Sequence, residues 1–219
     1  MWKPGRIMAT IRSDQHVFIP GMNGSGKTFL AKTYLAGNEK PVYVLDTKGT
    51  FTWEQIPADK QITITTYNDL PKVTGKYRFI IYRPRHEELE IEYYDVFFRF
   101  CYELQHVTVY VDEAMQVCPS PSKIPSYYKG ILTRGRELDV NIWSATQRPS
   151  GIPIIIYSEA YHWFVFKLQN PTDREKLADY SGYGEFMEIL PKYEFLYFSA
   201  ETGNAPINGI LKGGQVNNV

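Results

Sequence analysis

Short runs of consecutive apolar residues recur along this chain, and between them lie stretches whose apolar positions fall three and four apart. Val17-Phe18-Ile19, Val42-Tyr43-Val44-Leu45, Tyr77 to Tyr82, Val107 to Val111, Val140 to Ala145 and Tyr161 to Leu168 show almost no polar alternation. That is the pattern of strands covered on both faces, as in a parallel sheet. Gln61 to Tyr67 alternates Ile62 and Ile64 with threonines and reads as a further strand, as does Tyr193 to Ser199. Helical spacing marks Phe29 to Leu35, Glu87 to Gln105 and Tyr127 to Leu138. In the second of these, Tyr93, Val96, Phe97, Phe100, Cys101 and Leu104 share one face. Thr172-Asp173-Arg174-Glu175 fits a capping box and predicts a helix to about Tyr180. Strand and helix alternate, so the expected fold is α/β, a mainly parallel central sheet flanked by helices. Ile7 to Ile11 is expected as a short leading strand. Residues 1–205 read as a single domain. Residues 206–219, with Gly213-Gly214 and Asn217-Asn218, read as a flexible tail.

Composition changes this picture little. The 219 residues include 43% hydrophobic and 22% charged positions, ordinary for one globular domain. Lys+Arg and Asp+Glu each total 24, so no overall charge marks a nucleic-acid binder, and such a role needs locally clustered charge. The two cysteines, Cys101 and Cys118, form no C-x-x-C pair, which argues against a zinc or redox motif and for a reducing, intracellular setting. Cys101 falls on the apolar helix face, while Cys118 lies in a proline-rich loop and is expected to be more exposed. No apolar run is long enough for a membrane span, so no direct membrane insertion is expected.

The chemistry concentrates at the ends of the predicted strands. Gly21-Met22-Asn23-Gly24-Ser25-Gly26-Lys27-Thr28 fits G-x-x-x-x-G-K-[ST], with a strand before it and a helix after it. Its glycines let backbone N–H groups approach a polyphosphate, and the helix start adds unpaired N–H groups and a positive dipole end. Gly21, Asn23, Gly24, Ser25, Gly26, Lys27 and Thr28 are the nucleotide-binding candidates, with Lys27 reaching the β/γ-phosphates and the Thr28 hydroxyl ligating Mg²⁺. Val107 to Val111 ends in Asp112-Glu113, two adjacent acids downstream of such a loop. Asp112 suits Mg²⁺, and Glu113 suits a general base for water attack on the γ-phosphate. Gln147, at the end of the Val140 strand, is placed to touch the γ-phosphate or the water. Asp46 and Lys48 follow the Val42 strand and are either near the site or ordinary turn residues. A small-molecule kinase would need a phosphoacceptor pocket and lid, and the Glu113–Gln147 pair fits water attack better.

Gly21 to Thr28, Asp46-Thr47-Lys48-Gly49, Val111-Asp112-Glu113-Ala114, and Arg134-Gly135-Arg136 ahead of Ala145-Thr146-Gln147-Arg148-Pro149 together resemble the FtsK–HerA superfamily of DNA-translocating ATPases. The resemblance implies a RecA-like (ASCE) P-loop NTPase fold with an extra strand between the phosphate-loop and Asp112 strands. It implies ATP and Mg²⁺ as cofactors, double-stranded DNA as partner, and a homo-oligomeric ring, usually a hexamer. It further implies catalytic roles for Glu113, Gln147 and Lys27, and an arginine supplied by a neighbouring subunit, with Arg136 first choice, Arg134 second and Arg85 third. With little outside the core domain, the chain looks most like the minimal genome-packaging ATPases of tailless icosahedral viruses with an internal membrane. That implies a capsid vertex or portal-like partner and a location in the host cytoplasm or at the capsid. A HerA-like repair translocase, a conjugative coupling ATPase and a nucleotide-gated assembly subunit with little hydrolysis are the alternatives. For the DNA contacts, Lys123 and Lys129, flanking Tyr127-Tyr128, are set against a reading of them as an ordinary solvated loop.

Overall fold

The computed structural model describes residues 10–212 and 215–218. Ten strands form one sheet in the order β10-β9-β8-β7-β1-β6-β5-β2-β4-β3. In chain order they are β1 (Val17–Pro20), β2 (Val42–Leu45), β3 (Gln61–Ile64), β4 (Phe79–Tyr82), β5 (Val107–Val111), β6 (Val140–Thr146), β7 (His162–Phe166), β8 (Glu194–Ser199), β9 (Ile207–Lys212) and β10 (Gln215–Asn218). The run from β3 through β7 is parallel throughout, and β8, β9 and β10 extend it antiparallel. This is the mainly parallel, helix-flanked α/β sheet that the apolar runs predict. Strand β6 lies between β1 and β5, which is the inserted strand of the RecA-like arrangement.

The helices are α1 (Lys27–Leu35), α2 (Leu70–Val73), α3 (Ile91–Leu104), α4 (Ala114–Val117), α5 (Ser126–Arg134), α6 (Ile155–Ser158) and α7 (Pro171–Ser181). Neighbouring strand residues point to opposite faces, and the two cores separate accordingly. Val17, Ile19, Val44 and Tyr110 pack with Leu30, Ala31 and Leu35 of α1 and with Phe51 and Trp53. Phe18, Leu45, Val109 and Val111 pack on the other face with α3 and α5. No helix among the described residues is long and apolar enough to cross a membrane.

Several local expectations shift. Helix α3 begins at Ile91, because Glu88 is drawn back to the strand ends, accepting from the Thr66 hydroxyl at 2.6 Å and the Tyr82 hydroxyl at 2.5 Å. Its buried face is Tyr94, Phe97, Phe98 and Cys101, while Val96 and Leu104 are exposed. The helix carries aromatic residues almost all round, so apolar spacing alone did not fix its rotation. Cys118 is fully buried under the sheet, not exposed, and burial pushes its thiol up to about 12. The cap of α7 is Asn170, whose side chain accepts the Thr172 N–H at 2.9 Å; Asp173 of the expected capping box is buried and used elsewhere. Residues 7–9 of the expected leading strand lie outside the described residues, and Thr10 and Ile11 are not in a strand. The segment from 206 onward, expected as a flexible tail, contributes β9 and β10 to the sheet.

Two buried histidines stitch the opposite, N-terminal ends of the strands. His16 Nδ1 accepts the Ile142 N–H at 3.0 Å, standing in for a ladder carbonyl. His162 bridges the Tyr197 hydroxyl at 2.8 Å and Gln15 Oε1 at 2.7 Å. Burial lowers each to about 4, with the Leu132 and Ile131 carbonyls opposing it at His16 and Glu201 opposing it at His162. The unfolded chain, with histidines near 6.5, therefore takes up protons first as pH falls. The urea midpoint is expected to be level above pH 7 and to fall steadily from pH 6.5 toward 5, above the range where carboxylates titrate. A midpoint that holds across that interval would contradict the neutral assignment of both rings.

Candidate nucleotide site

The phosphate loop is shaped by its glycines. Gly24 and Gly26 have φ of 70° and 116°, which side chains with a Cβ rarely adopt. A Cβ on Gly21 would lie 2.5 Å from the Phe166 Cβ, so the loop start fits only glycine against β7. The Gly21 N–H donates to the Thr146 carbonyl at 3.0 Å and the Met22 N–H to the Lys167 carbonyl at 2.8 Å, which anchors the loop to the ends of β6 and β7. Ser25 Oγ is buried without a hydrogen bond from the protein, a polar atom suited to a phosphate oxygen. Lys27 Nζ folds back onto the Gly21 carbonyl at 2.6 Å and the Met22 carbonyl at 3.0 Å. Burial lowers Lys27 to about 8, with the Glu113 and Asp112 charges opposing and Lys48 reinforcing the shift.

The acids come from the end of β5, which β6 separates from the strand of the phosphate loop. Asp112 Oδ1 accepts the Thr28 hydroxyl at 3.0 Å and the Tyr110 hydroxyl at 2.8 Å. Hydroxyl and carboxylate oxygens side by side suit a hard divalent cation such as Mg²⁺. Among the described residues no group of three or more His, Cys, Asp or Glu could hold a metal alone, and a Mg²⁺ here would take the rest of its shell from waters and phosphate oxygens. Glu113 is buried, and its Oε1 accepts the Gln147 backbone N–H at 3.0 Å. Phosphate loop, acid pair and Gln147 thus meet at one place, as the strand ends predict.

Lys48 joins them. Its Nζ lies 2.9 Å from Glu113 Oε2 and 4.0 Å from Asp112 Oδ2. Asp46 takes the turn role: it is fully buried, accepts the Thr50 and Phe51 N–H groups at 3.2 and 3.0 Å, and pairs with Arg83 Nε at 2.9 Å. Reading the sequence missed Tyr110, which steadies Asp112, and Asp173. The latter accepts Arg148 Nε at 2.9 Å and the Ser150 N–H at 2.9 Å, pinning the segment after Gln147. A buried Asp in a helix far along the chain carries no local signal for that contact.

Arg136, the first trans candidate, stands away from this cluster. Arg136 is exposed, with Nε 3.2 Å from Asp14 and a guanidinium N–H donating to the Tyr161 hydroxyl at 3.3 Å. It precedes β6, whereas Gln147 follows it, so the length of a seven-residue strand, roughly 20 Å, separates them. Arg134 and Arg85 are also exposed. Of the residues weighed for DNA, Lys123 and Lys129 are exposed and Tyr127 half-buried. Tyr128 is in the core, its ring 4.5 Å from that of Phe98 and its hydroxyl 2.7 Å from Ser144 Oγ, so it cannot line a channel.

No protein-family model and no curated protein matches the sequence. Solved structures do match. The genome packaging NTPase B204 from Sulfolobus turreted icosahedral virus 2, in complex with AMPPCP, superposes with a TM-score of 0.67 at 18% identity, over 92% of this chain and 99% of that one. B204, the DNA-packaging ATPase from Sulfolobus Turreted Icosahedral Virus, gives 0.65 at 18% over 91% and 97%. The pCW3 conjugation coupling protein TcpA, in a monomer form with ATPγS, gives 0.58 at 14% over 89% of this chain and 59% of that one. At these identities the likeness establishes the fold alone, a mainly parallel, helix-flanked sheet of the P-loop NTPase kind.

The buried Asp46 carboxylate organises the turn that carries Lys48. Asp46→Asn leaves Arg83 without its counter-charge, and a loss on the order of 3 kcal/mol is expected from urea unfolding. A variant as stable as the parent would show that the pair is not needed to hold the turn.

Proposed function

We propose that this protein is an ATP-driven double-stranded DNA translocase, a genome-packaging motor whose subunits form a ring and hydrolyse ATP at their interfaces. The observation that carries the reading is the convergence of Lys27, Thr28, Asp112, Glu113 and Gln147 at three adjacent strand ends. It is supported by the fold shared, over most of both chains, with the genome packaging NTPase B204 and its nucleotide-analogue complexes. The TcpA likeness supports conjugative coupling as the nearest alternative, on the same residues.

The chemistry is positioning and electrostatic stabilisation. Backbone N–H groups of the loop and Lys27 hold the phosphates, and Lys27 gives up the Gly21 and Met22 carbonyls to do so. Thr28 and Asp112 would hold Mg²⁺, which would supply positive charge to offset that of the phosphates. Glu113, held on one oxygen by the Gln147 N–H, orients the attacking water and takes its proton. Gln147 lies beside it to contact the γ-phosphate or that water. Arg148, next to Gln147, is engaged by Asp173, and Arg83, beside the turn that carries Lys48, is engaged by Asp46, which supports an arginine donated by a neighbour. Arg136 leads, on its exposure, followed by Arg134. Double-stranded DNA would run past the exposed Lys123 and Lys129, and a capsid vertex or portal-like protein would hold the ring.

ATP turnover, measured with and without long duplex DNA, is expected to rise with DNA and to vanish in Glu113→Gln. Arg136→Ala is expected to keep nucleotide binding and lose stimulated turnover by about 10³-fold. Mixing it with Glu113→Gln should recover part of the rate, because mixed seams contain one intact site. Full stimulated turnover by Arg136→Ala alone would remove that residue from the role. No DNA stimulation in the parent protein would count against translocation.

A further inference from the structure

One oxygen of Glu113 is hydrogen-bonded, and the other is buried and meets only the charge of Lys48, in an ion pair without hydrogen-bond alignment. Oε1 accepts the Gln147 N–H, and Oε2 lies 2.9 Å from Lys48 Nζ. The same ammonium is 4.0 Å from Asp112, so one cation faces two buried carboxylates. In this pose the acid assigned to water activation is neutralised and its second oxygen is covered. Lys48 itself is less confined than the acids, with its side chain 23% exposed against 5% for Glu113. Its backbone is fixed by the Asp46 turn, in which Gly49 adopts φ 71° and Asp46 holds Thr50 and Phe51. A flexible four-carbon stem on a rigid base can exchange partners without moving the chain.

A triphosphate seated on the loop places new negative charge beside Asp112 and Glu113, within the sweep of that stem. Two anions then compete for one ammonium. On the ATPase reading the γ-phosphate is the group attacked by the water that Glu113 orients, so it, and not a diphosphate, is the anion set to compete for Lys48. We propose that Lys48 is a nucleotide-sensing positioning residue. It ties Glu113 down when no triphosphate is present, and it transfers to a γ-phosphate oxygen when one arrives, freeing Glu113 for water. This rests on the ATPase reading above.

The test is equilibrium binding of fluorescent analogues of ADP and of a non-hydrolysable ATP, with the parent protein, Lys48→Met, Lys48→Arg, Glu113→Gln and Lys27→Ala. Lys48→Met is expected to weaken the triphosphate analogue about tenfold and leave the diphosphate unchanged, the worth of one charge-assisted hydrogen bond. Lys48→Arg should restore part of that ratio. Glu113→Gln, which removes the competing anion, should raise triphosphate affinity relative to diphosphate severalfold. A lysine that merely props Glu113 would lower kcat without moving either ratio. Equal effects on both nucleotides in Lys48→Met, or an unmoved ratio in Glu113→Gln, would overturn the proposal. Should Lys48→Met fail to fold by circular dichroism, Lys48→Arg and Glu113→Gln carry the same decision. Failure of the underlying reading looks different: the parent binds neither analogue, or Lys27→Ala binds them as well as the parent.

Discussion

Everything at the candidate site depends on the register of a three-strand parallel ladder. Pro20 lies opposite Thr146 and Val111 opposite Ser144, so β1 and β6 finish level and β5 two residues short of them, which sets Glu113 beside the end of β6. Their next residues are the phosphate loop, Gln147 and the acid pair. A slip of one residue would reverse the faces of a strand that is apolar on both sides. Such a strand tolerates burial either way, so hydrophobic pattern alone sets this register weakly. The site residues reinforce it: the Thr146 carbonyl takes the Gly21 N–H, Glu113 takes the Gln147 N–H, and Asp112 takes the Thr28 hydroxyl. Site and ladder are mutually supporting, which is why a loop with two conformationally free residues, Gly24 and Gly26, still holds one shape.

The electrostatics of the site follow from how few partners it has. Two buried carboxylates face two lysines, and one of those, Lys27, is itself pulled down to about 8 by burial. Lys27 spends its donors on loop carbonyls and Lys48 spends its charge on Glu113. Both cations are therefore held by weak or exchangeable partners in a place built for a polyanion. That stored readiness costs less than leaving charges unpaired in the interior, and a bound polyphosphate can displace each contact in turn.

What could be read from the sequence is what local chemistry determines. The glycine spacing of Gly21 to Thr28 demands left-handed backbone and close approach, and apolar runs such as Val107 to Val111 demand burial on both faces, so the loop, the sheet class and the Asp112-Glu113 position were legible. Features decided by tertiary partners were not. Asp46 and Lys48 look alike as polar turn residues, and only Arg83 on one side and Glu113 on the other separate their roles. The rotation of α3 and the burial of Cys118 depend on which surface arrives against them. Tyr128 sits beside Tyr127 in the chain, yet a helix turns neighbours about 100° apart, and one points into the core.

The last strands show how a distant segment enters the site. Leu211 in β9 packs so closely over the phosphate loop that a Cβ on Gly26 would lie 2.5 Å from its Cδ1, with Phe166 and Tyr193 also within contact. The Leu211 N–H donates to the Tyr193 carbonyl, which ties this wall to the start of β8. Gly26 is thus required twice, once for its φ and once for the apolar surface resting on it. The loop's backbone is consequently clamped between β6 and β7 on one side and this wall on the other. Leu211 thus brings the antiparallel edge of the sheet against the phosphate-loop backbone, although no residue of β9 belongs to the motif.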